Sequence, residues 1–305
     1  MDKPPEWTMR QALFCLVGST VCTLAISLGG YGIWKNLKQK RLSDEAYKIA
    51  AIVQTGPEKE ALKTAYLAEL LSLSIDQPTH LYRVDLKRAV QKLLSSPLIA
   101  DARVKRMPPN TLYIDYEVRR PVAWLSDYKN IGIDQAGFLF PMTPFFSPKN
   151  LPEIYLGLPA FGAPEDSFGR KGGAWLSPIK NRYLNLAFEV LQYLEGSSWK
   201  EGLQIKRIDV SNAFAPSLGQ REIVLFTEEE ITVRRNEKEI ACIFPKILRL
   251  APKEYHQQLA NFIALRRSMV EDYRRQMASL QLSCRFAPRI IDLRIPQLAF
   301  IENDS

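Results

Sequence analysis

Side chains that could carry acid–base or nucleophilic chemistry are few in this sequence of 305 residues. Histidine occurs only at His80 and His256, and no familiar catalytic or zinc-binding motif surrounds either residue. The densest acidic group is Glu228-Glu229-Glu230, and a pair of carboxylates can cleave a glycosidic bond without any further motif. This run lies between two predicted strands, so we expect a solvated turn, and we expect structural roles for Asp134 and Asp292. The sequence therefore favours a protein that is not an enzyme and binds no cofactor or metal.

The four cysteines fall into two pairs. Cys15 and Cys22 are seven residues apart in an apolar segment, on one helix face, where they act as small apolar side chains. Cys242 and Cys284 lie in the remaining part of the chain and could form a disulfide in an oxidising compartment. Their spacing makes no metal motif, and two separate buried thiols are the other possibility, so the sequence leaves the pairing open.

The longest uncharged stretch covers residues 12–34, and a helix of this length spans the hydrocarbon core of a bilayer, which is about 30 Å thick. Trp7 precedes it, and Tyr31 and Trp34 lie at its far end, where aromatic side chains favour the headgroup layer. The apolar run is longer than that of a cleaved signal peptide, and the best cleavage candidate, Ala25-Ile26-Ser27, lies inside it. We therefore expect one uncleaved transmembrane helix.

The charges that flank this span leave its orientation open. Two basic and two acidic residues precede the span, whereas four basic residues follow it, namely Lys35, Lys38, Lys40 and Arg41. This bias favours a cytoplasmic location for the second flank. Large domains, however, translocate largely regardless of nearby charge, so the sequence does not decide the side.

The net charge of +8 is spread along the chain. A basic excess suits nucleic acid, anionic lipid or an acidic protein partner. For a membrane-anchored chain we expect lipid or protein, and no nucleic-acid-binding module is recognisable in the sequence. The residues after the span are enough for about two domains.

The first predicted domain has an α+β pattern in the order strand, helix, helix, strand, strand. The elements are a strand at 47–55, a helix capped by Thr64, a helix capped by Asp85 and ended by Ser95-Ser96-Pro97, a strand around Ala102 and Val104, and a strand at 111–118. Alternating apolar residues in the last strand predict one buried face. Three strands with two helices on one face make a single α+β layer.

The rest of the chain is predicted to be rich in strands. The elements are a hairpin at 131–141 with Gly137 at positive φ, a strand at 151–158, a surface loop at 159–177, a helix that begins at Ser177-Pro178 and ends at Gly196, strands at 203–210, 222–227 and 231–235, and an amphipathic helix at 253–280. We expect the long helix to pack with a basic face in solvent. A partner-binding or membrane-surface role is the alternative.

Three segments of the first domain carry a resemblance to a known family. The segments Leu62–Leu67 (LKTAYL), Val104–Leu112 (VKRMPPNTL) and Arg119–Trp124 (RRPVAW), in this order, resemble a POTRA domain, in particular that of the FtsQ/DivIB cell-division family. The family typically carries Glu-Arg-x-Pro-Val-Ala after its last POTRA strand, whereas Glu117 here lies one place early. Near the C-terminus, Ile290–Arg294 (IIDLR) matches the family's Ile-Asp-Leu-Arg.

The resemblance implies a domain organisation for the whole chain. It comprises a cytoplasmic tail at 1–11, a transmembrane helix at 12–34, a tether at 35–45, a POTRA domain at 46–121 and an FtsQ-like β domain at 122–301, which includes the long helix at 253–280. The implied location is the inner membrane, with one span and the bulk of the chain in the periplasm.

The resemblance also implies a function and a site. FtsQ/DivIB proteins are scaffolds that bind the single-span division proteins FtsB and FtsL, together with other divisome components, and a strand of FtsB adds to a C-terminal sheet edge. The implied partner-binding residues are Ile291, Asp292, Leu293, Arg294, Leu298, Phe300 and Ile301. We expect Arg294→Glu to weaken partner capture without unfolding the protein, although a purely structural role for Arg294 is the alternative. We expect Phe300→Pro to remove a hydrogen-bond donor from the edge and therefore to block partner capture if the edge is used.

Two functions of other classes stay open at this point. A POTRA-bearing protein of transport or outer-membrane assembly would have tandem POTRA units or a barrel of many alternating strands, whereas this sequence predicts one unit. An enzyme of cell-wall metabolism is the second alternative, and it would act on peptidoglycan.

Overall fold

The computed structural model describes residues 9–196, 202–235, 238–279 and 288–302. It begins with helix α1, Met9–Ser43, in which Leu16–Ser43 is long and apolar enough to cross a membrane and is not buried within the protein. Ser and Thr hydroxyls in this helix bond back to carbonyls three or four residues earlier, as in Thr20 to Val17 (2.8 Å). The helix continues through most of the expected tether because residues 35–43 contain strong helix formers and no Gly or Pro.

The chain forms two compact units, and α1 belongs to the first of them. The first unit runs from α1 to Glu117, and the second begins at Val118 and takes in the short segments 57–61 and 95–100. Elements of the first unit and its boundary are β1 (Ala51–Thr55), α2 (Thr64–Leu70), α3 (Leu86–Leu94), β2 (Ile99–Met107) and β3 (Thr111–Val118), with short 3-10 helices at Glu45–Tyr47 and Leu81–Arg83. The sheet order is β1-β3-β2, with β1 parallel to β3.

This β-α-α-β-β order confirms the predicted α+β layer. Burial alternates along β3, and Leu112, Ile114 and Tyr116 face the core as the apolar pattern predicts. Asp85 caps α3, since its carboxylate accepts from the N–H groups of the second and third helical residues. The expected cap at Thr64 is wrong, because Thr64 is already helical and the capping position belongs to Lys63, whose side chain makes no capping bond.

The second unit is built on one nine-stranded sheet. Its elements are β4 (Ala123–Leu125), β5 (Ile131–Ile133), β6 (Leu139–Pro141), β7 (Glu153–Tyr155), α4 (Arg182–Gly196), β8 (Leu203–Asp209), a 3-10 helix at Leu218–Gln220, β9 (Ile223–Arg235), β10 (Lys238–Leu250), α5 (Tyr255–Ser279), β11 (Arg289–Asp292) and β12 (Phe300–Glu302). The strand order is β12-β11-β10-β9-β8-β7-β4-β5-β6. Helices α4 and α5 contribute buried side chains to its core. The structure confirms a β-rich second part with helices.

The hairpin of β5 and β6 is confirmed, with Gly137 at φ +87°. The start of α4, however, lies at Arg182 and not at Ser177-Pro178. The N–H of Ile179 donates to the Gly137 carbonyl at 2.8 Å, which holds the segment after Pro178 in a non-helical conformation. The helix begins only where the Asn181 side chain accepts from the Leu184 N–H at 2.8 Å.

The three consecutive glutamates do not form a turn between two strands. They lie in the middle of β9, which is a single strand paired with β10 along its whole length. Successive side chains of a strand point to opposite faces, so Glu229 faces the core, whereas Glu230 is exposed and Glu228 forms an ion pair with Lys206 (3.3 Å). The arrangement therefore separates Glu229 from the other two carboxylates, which share the opposite face of the strand.

Glu229 is the centre of a buried ion cluster. One carboxylate oxygen contacts the Nζ of Lys246 on β10, and the other accepts from Nη2 (2.8 Å) and Nε (2.9 Å) of Arg266 on α5. Burial lowers the pKa of Lys246, and the Glu229 charge opposes this shift. The cluster thus joins two strands and the helix through one carboxylate.

Helix α5 packs on the sheet through apolar side chains that are at most 4% exposed, namely Tyr255, Leu259, Phe262 and Met269. This confirms the expected packed helix for that part of its length. The expected solvated basic face is wrong for Arg266, because its guanidinium contacts buried Glu229. The side chains of Arg274 and Arg275 lie outside the described residues.

Cys284 also lies outside the described residues, whereas Cys242 is buried. The possible disulfide between these two cysteines therefore stays a prediction.

We predict that Glu229→Gln lowers the free energy of unfolding by about 3–5 kcal/mol, because it leaves buried Lys246 without its counter-charge. The matched control is Glu230→Gln on the exposed face of the same strand, which should change stability by less than about 0.5 kcal/mol. Urea unfolding of the full chain in detergent, followed by circular dichroism, gives both values. Equal effects of the two substitutions would contradict the role given to the cluster.

Candidate partner-binding edge

Strand β12 forms one edge of the nine-stranded sheet and, among the residues that the structure describes, pairs only with β11. The segment that leads to it and the strand itself carry exposed apolar side chains: Ile295 is 49% exposed, Leu298 55%, Phe300 58% and Ile301 40%. An open strand edge with exposed apolar side chains is a template on which an extended segment of another chain can add as a further strand.

The hydrogen-bonding directions along β11 identify which backbone groups of β12 are open. The Leu293 N–H donates to the Arg249 carbonyl (2.9 Å), on the β10 side of β11. Backbone groups of successive strand residues point to alternate sides, so those of Asp292 face β12, where Phe300 is the antiparallel partner. The N–H and C=O of Ile301 consequently point away from β11 to the open edge. Phe300→Pro would therefore break the pairing within the sheet, and Ile301 is the residue to test.

A tight turn brings the chain from β11 into β12. The Leu298 N–H donates to the Ile295 carbonyl (3.2 Å), with Pro296 and Gln297 at the two central positions. Gln297 has φ +63°, and this conformation at the second central position after a proline is that of a type II turn. The turn places Ile295 and Leu298 side by side at the surface next to the edge.

Four charged side chains hold the β10–β11 end in place. Asp292 is bound by Arg294 through three contacts of 2.7–3.1 Å, and Arg249 lies 3.5 Å from the same carboxylate. Glu222 on the neighbouring segment accepts from Arg249 (2.7 Å) and lies 3.4 Å from Arg294. Burial alone would raise the pKa of Asp292, but the two arginines outweigh it and lower that pKa. Two positive and two negative charges thus balance each other.

The structure places the seven residues implied by the family resemblance in three different environments. Ile291 and Leu293 are core residues that lie on the β10 side of β11 through their backbone groups, so they hold β11 in the sheet and do not reach the open edge. Asp292 and Arg294 are engaged in the ion network, and Arg294 also donates to the Gly219 carbonyl (3.0 Å). Only Leu298, Phe300 and Ile301 present large side chains to solvent.

Sequence reasoning missed Ile295, Glu222 and Arg249. The Ile295-Pro296 pair was a readable signal, because proline is favoured at the second position of a turn and turns run over the protein surface. No local signal could have linked Glu222 and Arg249 to Asp292, since these residues meet only when β9, β10 and β11 align in the sheet.

The opposite edge of the sheet is far less accessible. Leu139 and Phe140 of β6 are buried, and Phe146 packs against the Phe140 ring at 5.5 Å. The third residue of this strand, Pro141, has no N–H to donate. Of the two edges, β12 is therefore the one suited to accept another strand.

Within the described residues, no three His, Cys, Asp or Glu side chains lie close enough to hold a metal ion. The groups at the β12 edge are apolar side chains, the exposed carboxylate of Glu302, and backbone donors and acceptors. Such a surface is suited to an extended protein segment.

These features define a protein with one helix suited to span a membrane, a small α+β unit and a β-rich unit with an open strand edge. Residues 58–116 match the family model of the POTRA domain, FtsQ-type. The chain therefore carries a POTRA domain of the FtsQ type, as the three sequence segments indicated. No curated protein matches the chain.

We predict that Arg294→Glu destabilises the β11–β12 edge by about 2–3 kcal/mol, because it brings a third carboxylate next to Asp292 and Glu222. This prediction differs from the expectation drawn from the sequence, in which Arg294→Glu leaves the protein folded. Arg103→Glu is the matched charge reversal at a site 72% exposed, and it should change stability by less than about 1 kcal/mol. Thermal unfolding of both variants measures the difference, and an unchanged Arg294→Glu variant would contradict the network's role.

Proposed function

We propose that this chain is a non-enzymatic scaffold of the bacterial divisome that spans the inner membrane once and binds other division proteins outside the cytoplasm. The observation that carries this proposal is the FtsQ-type POTRA domain at residues 58–116. This type of domain is named after the FtsQ family, whose members connect single-span division proteins to septal cell-wall synthesis. FtsB-like and FtsL-like proteins are the proposed partners.

The β12 edge supports a specific mode of capture. A partner strand that adds next to β12 gains main-chain hydrogen bonds from Ile301, while Leu298 and Phe300 supply apolar contacts. The edge is only three residues long, which leaves few open donors and limits pairing with unrelated strands. Specificity then depends on the exposed side chains around the strand.

The buried and charged residues around this edge have a supporting role in the proposal. Ile291 and Leu293 anchor β11 in the core. Arg294 pairs with Asp292 and also contacts Glu222, which fixes the segment that follows β11. A rigid edge loses little conformational entropy when a partner strand is added, so more of the contact energy remains for affinity.

Capture through the edge can be tested at Ile301. We predict that Ile301→Pro abolishes co-purification of a tagged FtsB-like protein encoded in the same genome, because proline removes the outward N–H. Ile301→Val keeps this N–H and the β-branched shape, and it should bind like the wild type. Normal capture by the proline variant would show that the partner docks elsewhere.

The proposed location requires the chain after α1 to lie outside the cytoplasm, against the bias of the flanking charges. We predict that alkaline phosphatase fused to the C-terminus is active, while a fluorescent protein that matures only in the cytoplasm is dark at the same position. Fluorescence without phosphatase activity would place the POTRA domain in the cytoplasm and would remove the divisome assignment.

A further inference from the structure

A stripe of aromatic and basic side chains follows the apolar part of α1. On a helix with 3.6 residues per turn, Tyr31, Trp34, Lys35, Lys38 and Arg41 fall within about 120° of the circumference, whereas Lys40 lies on the far side. Because α1 is unbroken to Ser43, these positions keep their relative directions along the whole stripe.

The side chains of this stripe are in contact with one another. The Lys38 ammonium lies 4.9 Å from the centre of the Trp34 ring, and the Trp34 ring lies 6.0 Å from that of Tyr31. Trp34 is nevertheless 55% exposed. A lysine beside an exposed indole forms a compact group with a positive charge and an available N–H donor.

The positive charge of the stripe is not neutralised by the protein within the described residues. The sequence contains no acidic residue between Trp7 and Ser43. Of the first two that follow, Asp44 caps a 3-10 helix by accepting from the Ala46 N–H and Glu45 pairs with Lys48, and neither forms an ion pair with the stripe in the part of the chain that the structure describes. An anion from outside the chain is therefore the available counter-charge.

The position of the stripe along the helix axis, relative to the lipid headgroups, indicates which kind of anion can reach it. From Trp34 to Arg41 the helix rises about 10 Å, and the headgroup region adds about 5–8 Å on each side of the hydrocarbon core. If α1 crosses a bilayer, Trp34, Lys35 and Lys38 lie at the level of lipid phosphates. Basic side chains at this level attract anionic lipids, and the stripe offers no carboxylate to a choline group.

We propose that Trp34, Lys35, Lys38 and Arg41 form a binding site for the phosphate of an anionic phospholipid such as phosphatidylglycerol. The indole and the lysines bind the phosphate, and Arg41 extends the positive surface toward the first unit. This inference rests on α1 crossing the membrane and is independent of the proposed division function and of the orientation of the chain.

Native mass spectrometry of the full chain in detergent tests the site. The protein is titrated with equal amounts of phosphatidylglycerol and phosphatidylcholine that carry the same acyl chains, and the bound fraction of each lipid is measured. The wild type should prefer phosphatidylglycerol. Lys38→Gln should weaken binding of phosphatidylglycerol about five-fold, the effect of one basic residue near a phosphate, while Lys38→Arg should retain it.

Lys40→Gln is the matched control, because it removes the same charge from the far side of the same helix. It should change phosphatidylglycerol binding less than about two-fold, since the long-range field of one charge is weak beyond the first contact. Equal losses in Lys38→Gln and Lys40→Gln would overturn the site in favour of a diffuse surface charge. A wild type without preference for phosphatidylglycerol would overturn it as well.

Discussion

The second unit depends on one buried carboxylate. Glu229 binds Lys246 from the neighbouring strand and Arg266 from the helix that covers the sheet. A buried charge is tolerated only when it is paired and hydrogen-bonded, so neither Glu229 nor Lys246 can remain buried without the other. The cluster therefore couples the alignment of β9 and β10 to the position of α5. Its hydrogen-bonded ion pairs need particular distances and directions, whereas apolar contacts are not directional.

The position of α5 in turn determines where β11 can pair. Strands β10 and β11 are parallel, and a parallel pair needs a long crossover, which α5 provides. In the folded protein β11 lies beside β10, and Arg249 and Glu222 contact Asp292 and Arg294. Strand β12 pairs with β11 and thereby forms the edge of the sheet. The candidate site thus depends on the packing of α5 as well as on its own residues.

The features that local rules could predict were those with local causes. The alternation in β3, the Asp85 cap and the Gly137 turn each depend on residues a few positions apart. The errors occurred where a remote group decides the outcome. Glu229 looked like a surface residue because its partners lie on β10 and α5, and the start of α4 is delayed by a carbonyl of the earlier hairpin. At the candidate site the seven residues came from the family resemblance, and both their burial and the direction of each backbone group required the sheet.

The unbroken path of α1 has a consequence for how partners meet. The Arg41 carbonyl near its end accepts a hydrogen bond from the His80 ring (2.8 Å), so the helix and the first unit are joined without a free linker. If α1 crosses a membrane and the proposed partners are anchored in the same membrane, their encounters are confined to two dimensions. Tethering of this kind raises the effective concentration of the partners, so a short strand edge can serve where it would be too weak between proteins free in solution.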